Sequence, residues 1–303
     1  MSEIVKNRSE ILFLYDATNI NPNGDPLDEN KPRIDEETGI NIVTDVRLKR
    51  TVRDYLFDYK GKEVFIREIR EDDGNLRTKE KRLEEFKDNN ELIEKCIDVR
   101  LFGATTAVKD KTMTLTGPVQ FKYGHSLHRI DMAYIKGTTV MPSAQDRRQG
   151  TFTEKYILPY SLIVFYGIVN ENAVKSQNIP LTEEDVELLL EAIWNGTKNL
   201  ISTSKVGQMP RLLLQVIHKE ENYHIGELDK RIRFISDKND EKIRDITDGV
   251  LDITELAKIL DMNKDSILKI RYKIDDRVQL SLNSQKVSFQ GALTGVTLEE
   301  LPF

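Results

Sequence analysis

The chain has 303 residues, with 45 Lys and Arg against 51 Asp and Glu for a formal charge of −6, and it is 39% apolar and 32% charged. Its 9 Pro and 16 Gly are too few for a collagenous or low-complexity chain, and its single cysteine, Cys96, cannot close an internal disulfide, so a disulfide-stapled secreted class is excluded and a reducing, cytoplasmic setting is expected. The most apolar run, Leu158 to Val169, is too short to span a membrane as a helix and contains Pro159 and Ser161, and Met1-Ser2-Glu3-Ile4 lacks the features of a secretory leader.

The first element is a short run of apolar and aromatic residues from Glu10 to Tyr15, which reads as a buried strand. It empties into a dense cluster of turn formers, Asp16 to Pro26, and the loop continues to about Val43. Loops of that length usually carry function. A helix follows, capped by Thr44 or Asp45, with Leu48, Val52, Tyr55, Leu56 and Tyr59 as its apolar stripe and Gly61 as its stop. Arg47, Lys49, Arg50 and Arg53 cluster in its first turns, where the helix dipole favours acids. A solvated basic face is the ordinary meaning of such a run; a bound anion is the alternative.

Residues 63–110 read as helical and acidic, with Leu92, Ile93, Cys96 and Ile97 as a core stripe. Residues 115–123 alternate as a half-buried strand, 129–156 read as a polar protruding hairpin, and 157–169 as another apolar strand. Thr182 caps a helix that runs to about Trp194, with Gly196 expected to end it, and Pro210 leads into a last strand through His218. Strand, helix, strand, strand, helix, strand is the split βαββαβ order of ferredoxin-like folds, shared by RNA-recognition-motif domains. The expected class is therefore α+β: one domain over 1–303, with a helical insertion at 62–112, a hairpin at 124–156 and a charged lobe at 220–284.

Charge is unevenly spread. Residues 43–62, 101–169 and 198–219 carry net charges of +3, +4 and +4, and the last stretch holds Lys198, Lys205, Arg211 and Lys219 with no acid. Phe121-Lys122-Tyr123 and Arg147-Arg148 near Phe152 interleave cations with rings, a mix suited to phosphates and stacked bases of single-stranded nucleic acid. Ser202 to Gln208 offers hydroxyls, an amine and an amide on a glycine-relaxed backbone, groups suited to phosphate or 2′-hydroxyl contacts. Metal and nucleophile motifs are thin: His125 and His128 form the one close histidine pair, and no P-loop, G-x-S-x-G or H-E-x-x-H occurs. Asp16, Asp25, Asp28, Asp35 and Asp45 surround the first loop, where turn-making is the commoner role and Mg²⁺ binding the alternative. No cofactor is expected.

Several separated blocks then occur in order: Asn19 to Pro26, Pro32 to Gly39, Val43 to Tyr55, Asp98 to Gly103, Thr116 to Gln120, and Ser204 to Arg211. In these the chain resembles, over residues 8–219, the backbone subunit of type I CRISPR Cascade complexes (the "Cas seven" family of the RAMP superfamily), nearest its subtype I-B group. The resemblance implies an RNA-recognition-motif palm with helical fingers and a thumb hairpin. It further implies a protein that polymerises with other copies of itself along CRISPR RNA and presents that guide for pairing with target DNA. The remaining partners would be Cas five-type, Cas six-type and large Cascade subunits. Carried onto this sequence, Arg47, Lys49, Arg50 and Arg53 would hold guide phosphates and Asn21 and Asn23 would line the same groove. Lys122 would join them. Met141, Gln145, Arg147 and Arg148 would belong to the thumb, and Lys205, Gln208 and Arg211 would contact the guide or a neighbouring subunit. A non-enzymatic role is expected. Two alternatives stand beside it: a type III-like subunit that cuts target RNA with Asp25, Asp28 or Asp35, and an interaction module that never touches nucleic acid.

Overall fold

The run around Leu12 is apolar at every position because both of its faces are covered. In the computed structural model, which describes residues 2–108, 111–138 and 152–303, it forms the central strand β1 (Ser9–Ile20). Successive side chains of a strand point to opposite faces. Accordingly Ile11, Phe13, Tyr15 and Ala17 enter one core, while Leu12 and Leu14 enter a second.

After the first loop, β2 (Ile40–Val43) leads directly into α1 (Asp45–Asp58). The insertion that follows holds α2 (Lys79–Glu84), α3 (Asn89–Lys95) and α4 (Ile97–Phe102), then the hairpin β3 (Gly103–Val108) and β4 (Lys111–Thr116). Next come β5 (Val119–Phe121), β6 (Gly124–Arg129), β7 (Ala133–Thr138), β8 (Phe152–Val169), α5 (Glu183–Lys198) and β9 (Gln208–His218). Two late strands, β10 (Ile267–Ile274) and β11 (Leu298–Glu300), complete the main sheet.

The sheet order is β11-β10-β9-β1-β8-β6-β2, with β5 and β7 also pairing to β8. β1 lies antiparallel between β8 and β9, with Leu12 opposite both Tyr166 and Leu214. On one face α1 and α5 pack through Leu48, Val52, Leu189 and Ile193. The other face is covered by the segment after 220, through Leu251, Leu256 and Leu260. That segment carries a small sheet (Arg233–Ile235, Val250–Asp252, Leu280–Leu282, Gln285–Val287), but it also returns β10 to the main sheet. The result is a mixed α/β architecture with two cores sharing one sheet.

Several expectations are corrected. The 62–112 insertion is only partly helical, because Thr78 and Asp88 each cap a new short helix and break the run into pieces. The expected strand at 115–123 is split: Lys111–Thr116 pairs with β3, and only Val119–Phe121 joins the main sheet. Gly117 at the break lies so close to the backbone of Phe102 and Gly103 that no side chain fits, and Pro118 cannot donate to a ladder. The expected stop at Gly196 lies inside α5, which continues to Lys198. There a Cβ would stand 3.0 Å from Tyr55 Cβ and 3.2 Å from Thr51 O, so the glycine allows α5 to approach α1. Of the 124–156 hairpin segment, residues 124–129 belong to the main sheet. The hairpin arms are β7 and the start of β8, in register from Phe152 opposite Thr138 to Ile157 opposite Ala133.

Candidate nucleic-acid interface

The N-terminus of α1 is built by the loop that precedes it. Thr44 caps the helix by accepting from Arg47 N at 3.3 Å. Its own N–H and hydroxyl donate to Asn23 Oδ1 at 2.9 and 2.8 Å. Arg33 holds the next stretch of loop by donating to Gly24 O at 2.6 Å and Asn23 O at 3.2 Å. Asn21 is buried and donates to Asn30 O at 2.6 Å. Thus Asn21 and Asn23, expected as groove contacts, spend these polar atoms on bracing the loop.

A second loop closes on the first. Asn21 N donates to Ser204 O at 3.3 Å and Thr18 N to Gly207 O at 3.1 Å. Gly207 adopts φ +119, and a Cβ there would stand 2.8 Å from Thr18 O, so this junction requires glycine. The Lys205 ammonium donates to the main-chain oxygens of Asn21 and, at 3.0 Å, Pro22. Gln208 is buried at the start of β9 and donates to Lys205 O at 3.4 Å.

This zipper sets Lys205 against Arg47. Burial first, then the charge of Arg47, pushes the Lys205 amine down to about 8. Burial likewise lowers the Arg47 guanidinium. Arg47 Nη2 donates to Thr51 Oγ1 at 3.1 Å. Among the described residues no carboxylate pairs with either cation, in a protein where most buried cations are paired. Tyr15, the last aromatic of β1 on this face, lies close enough to Arg47 for the guanidinium to oppose the rise that burial gives its phenol. Tyr15 was not among the residues singled out by sequence. Its position on the Phe13 side of the alternation, at the mouth of the loop, is the signal that would have found it.

The other cations of the expected set divide. Lys49 is tied to Asp45 at 2.9 Å and to Gln120 at 3.1 Å. Arg50 pairs with Asp54 at 2.7 Å yet remains 46% exposed, at the edge of a cleft of about 440 Å³ shared with Tyr55, Tyr59, Arg67 and Ile201. Arg53 is different: its Nε donates to the fully buried Asp98 at 2.8 Å, and Asp98 also accepts from Phe65 N and Ile66 N at 2.7 and 3.2 Å. That guanidinium fastens the insertion to α1, in the wall of the same cleft that Arg50 edges. Arg211 is buried on the opposite face of the sheet, donating to Asp16 at 2.8 Å and also to Asp275. Burial raises the Asp16 carboxyl while Arg211 opposes the rise. Lys122 pairs with Asp229 at 2.9 Å and sits over the Tyr166 ring, on the face covered by the segment after 220. Arg211 and Lys122 therefore leave the groove-facing set, and Arg53 stands in the cleft wall with its guanidinium committed to Asp98. Met141, Gln145, Arg147 and Arg148 lie outside the described residues.

Next to the Lys205 turn, Thr203 and Ser204 face the hairpin base across a cleft. A cleft of about 380 Å³ runs between Asn21, Asn30, Ser204, Ile135 and Tyr156. The Tyr134 and Tyr156 rings stand 4.8 Å apart, Tyr156 donates to Glu29 at 2.9 Å, and Tyr134 and Ile135 are exposed. The loop acids make local contacts at the surface: Asp25 accepts from Leu27 N at 3.0 Å, Asp28 pairs with Lys31 at 2.7 Å, and Asp35 accepts from Thr38 Oγ1 at 2.8 Å. Among the described residues no three His, Cys, Asp or Glu gather as a metal site, and no helix is long and apolar enough to cross a membrane. A half-buried pair of cations without counter-ions, flanked by exposed rings, can hold a phosphate and support a base.

The sequence profile of the "CRISPR-associated protein Cas7" family matches residues 7–254. A protein of Haloferax volcanii described as CRISPR-associated protein Cas7 is 34% identical across 93% of this chain and 91% of its own length. Among solved structures, a chain of a CRISPR RNA-guided surveillance complex superposes with a TM-score of 0.56 at 16% identity, covering 97% of this chain and 94% of that one. A chain of a second such complex, described as pre-nicking, gives 0.58 at 12% identity, covering 97% and 96%. With the family profile spanning most of the chain and a relative this similar over nearly all of it, the protein belongs to the CRISPR-associated Cas7 family.

Proposed function

We propose that this protein is the guide-binding backbone subunit of a type I-B Cascade surveillance complex. In this reading the four-strand core β9-β1-β8-β5, with α1 and α5 behind it, is a palm of the RNA-recognition-motif kind. The 62–112 insertion is its fingers and the β7–β8 hairpin its thumb. Copies of the chain polymerise along CRISPR RNA in the cytoplasm, beside Cas five-type, Cas six-type and large subunits. They hold phosphates through Arg47 and Lys205, aided by Lys49 and Arg50 at the rim, and leave bases free to pair with target DNA. Sequence is read by the guide, and the protein contributes grip and order.

The observation that supports this reading is that Lys205 feels the charge of Arg47 and that, among the described residues, neither forms an ion pair with a carboxylate, the nearest acid to Arg47, Asp54, being paired with Arg50. Two half-buried cations side by side are unfavourable alone and favourable around a phosphate. We read the chain as non-cleaving, since Asp25, Asp28 and Asp35 each serve a local turn or ion pair.

The test is the nucleic-acid content of the purified protein and its affinity for single-stranded RNA, in wild type and in an Arg47→Glu/Lys205→Glu variant. The variant is expected to lose co-purifying RNA and bind at least about 100-fold more weakly, because two favourable charge contacts become repulsive. Unchanged RNA content in a folded variant would overturn the reading. Periodic Mg²⁺-dependent cuts in a complementary RNA would overturn the non-cleaving part alone.

A further inference from the structure

Three arginines stand in the wall of the 440 Å³ cleft where the end of α1, the start of the insertion and the residues after α5 meet. Arg50 is held by Asp54 and Arg53 by Asp98. Arg67 differs. Among the described residues its guanidinium donates no hydrogen bond, and its Nε is buried without a partner. Its one ion-pair partner, Glu63, stands 3.7 Å from Nε, beyond hydrogen-bond reach, and itself accepts from Arg82.

What holds the Arg67 side chain is a ring. Its Cζ lies 4.4 Å from the centroid of Phe57 on α1, and Phe57 lines the same cleft. Stacking at that distance fixes the plane of the guanidinium without using any of its donors. The side chain is 28% exposed, so a ligand in the cleft can reach it. An oriented fork with free N–H groups suits an oxyanion that accepts two parallel bonds, as a phosphate does.

The cleft also supplies a platform for a base. Tyr59, which the sequence places in the apolar stripe of α1, is 58% exposed. Its ring stacks at 5.0 Å on buried Tyr55, whose hydroxyl donates to Glu191 at 2.8 Å, so the exposed ring rests on a fixed one. Of the acids lining the cleft, Asp54 is engaged by Arg50 and Glu68 by Arg70. Asp58 is left, exposed at the end of α1, where water and salt screen its repulsion of an anion.

Building on the RNA-binding reading above, we propose that this cleft is a second site for single-stranded nucleic acid, separate from the Arg47–Lys205 groove, in which the Arg67 fork takes a phosphate and Tyr59 stacks the adjoining base. Tyr59 stands about 18 Å from Arg47 along the axis of α1. A strand must therefore run several nucleotides to occupy both sites.

The experiment titrates the full chain with labelled oligoadenylate and, separately, oligodeoxyadenylate, each long enough to span both sites, over a series of salt concentrations. The two arms tell a ribose strand from a deoxyribose one. For at least one of them Arg67→Gln is expected to weaken binding about tenfold and to lower the slope of log affinity against log salt by about 0.7, one phosphate. In a double variant with Arg47→Gln the two slope losses should add. Tyr59→Ala should weaken binding about tenfold with the slope unchanged, and Tyr59→Phe should restore it, as base stacking requires. If Arg67→Gln does not fold, the exposed Tyr59 pair decides. Unchanged affinity and slope in folded Arg67→Gln, or unchanged affinity in Tyr59→Ala, overturns the inference and leaves the RNA reading standing. Slope losses that do not add overturn the separateness of the two sites. Arg67-dependent binding of oligoglutamate, with neither oligonucleotide responding to the substitution, overturns the inference in favour of an acidic protein segment. Failure of wild type to bind either strand at low salt overturns both readings.

Discussion

Arg47 and Arg53 lie on one helix and look alike in sequence, yet the fold treats them oppositely. Arg53 is spent inward on Asp98, which also accepts two backbone N–H groups, so three donors converge on one buried carboxylate. Arg47, toward the N-terminus, has a hydroxyl partner and a lysine neighbour, and the nearest acid, Asp54, is paired with Arg50 instead. The first arrangement is complete as it stands. The second is complete only with an anion. A cation run therefore separates into structural and ligand-facing members by what the rest of the chain brings to each side chain, and the difference between them is measurable.

The largest effect is expected at the complete site. Asp98→Ala leaves a buried guanidinium and two backbone donors unpaired, and should cost ~3–5 kcal/mol in a denaturant titration; a loss under ~1 kcal/mol would show that the clamp is dispensable. Gly196→Ala presses on the helix that carries both arginines, through Tyr55 Cβ and Thr51 O, and should cost ~1–3 kcal/mol by the same measurement. Thr44→Ala removes the cap and the hydroxyl bond to Asn23 while keeping the backbone N–H bond, for a loss of ~1 kcal/mol in stability together with weaker RNA binding. If stability falls and affinity does not, the loop brace is irrelevant to the groove.

Two smaller effects belong to the incomplete site. Arg47→Gln should reduce the slope of log affinity against log salt by about 0.7, one phosphate on a single strand; an unchanged slope would place Arg47 off the phosphate path. Lys205 has a folded-state pKa below that of a free lysine, so between about 8 and the usual lysine range the unfolded chain binds more protons. Stability of the free protein should therefore rise with pH through that window. In Lys205→Met the rise should vanish, and comparison of thermal midpoints at pH 7.5 and 9.5 reads the difference.

Much of this was legible in the sequence. The strands at 9–20 and 152–169 and the helices after Thr44 and Thr182 followed from apolar periodicity, and the caps at Thr44 and Thr182 stand where the residue types place them. The motif blocks identified the family that the wider comparisons established. Helix breaks at Thr78 and Asp88 carried a local signal that a compositional reading of 63–110 passed over. Gly196 carried no distinguishing signal, since a glycine near a helix end serves equally as a stop or as a contact surface.

Local chemistry determined the elements, because caps, turns and alternation depend on neighbours in the chain. Which cations remained free was decided only in three dimensions. The partners of Arg53 and Arg211 come from Asp98 and Asp16, far along the chain, and Lys205 meets Arg47 only because the turn at Gly207 closes on Thr18. Charge is short-ranged in salt water, so the fate of each charged group depends on which side chains the fold sets within a few ångströms of it, and sequence spacing does not encode that distance.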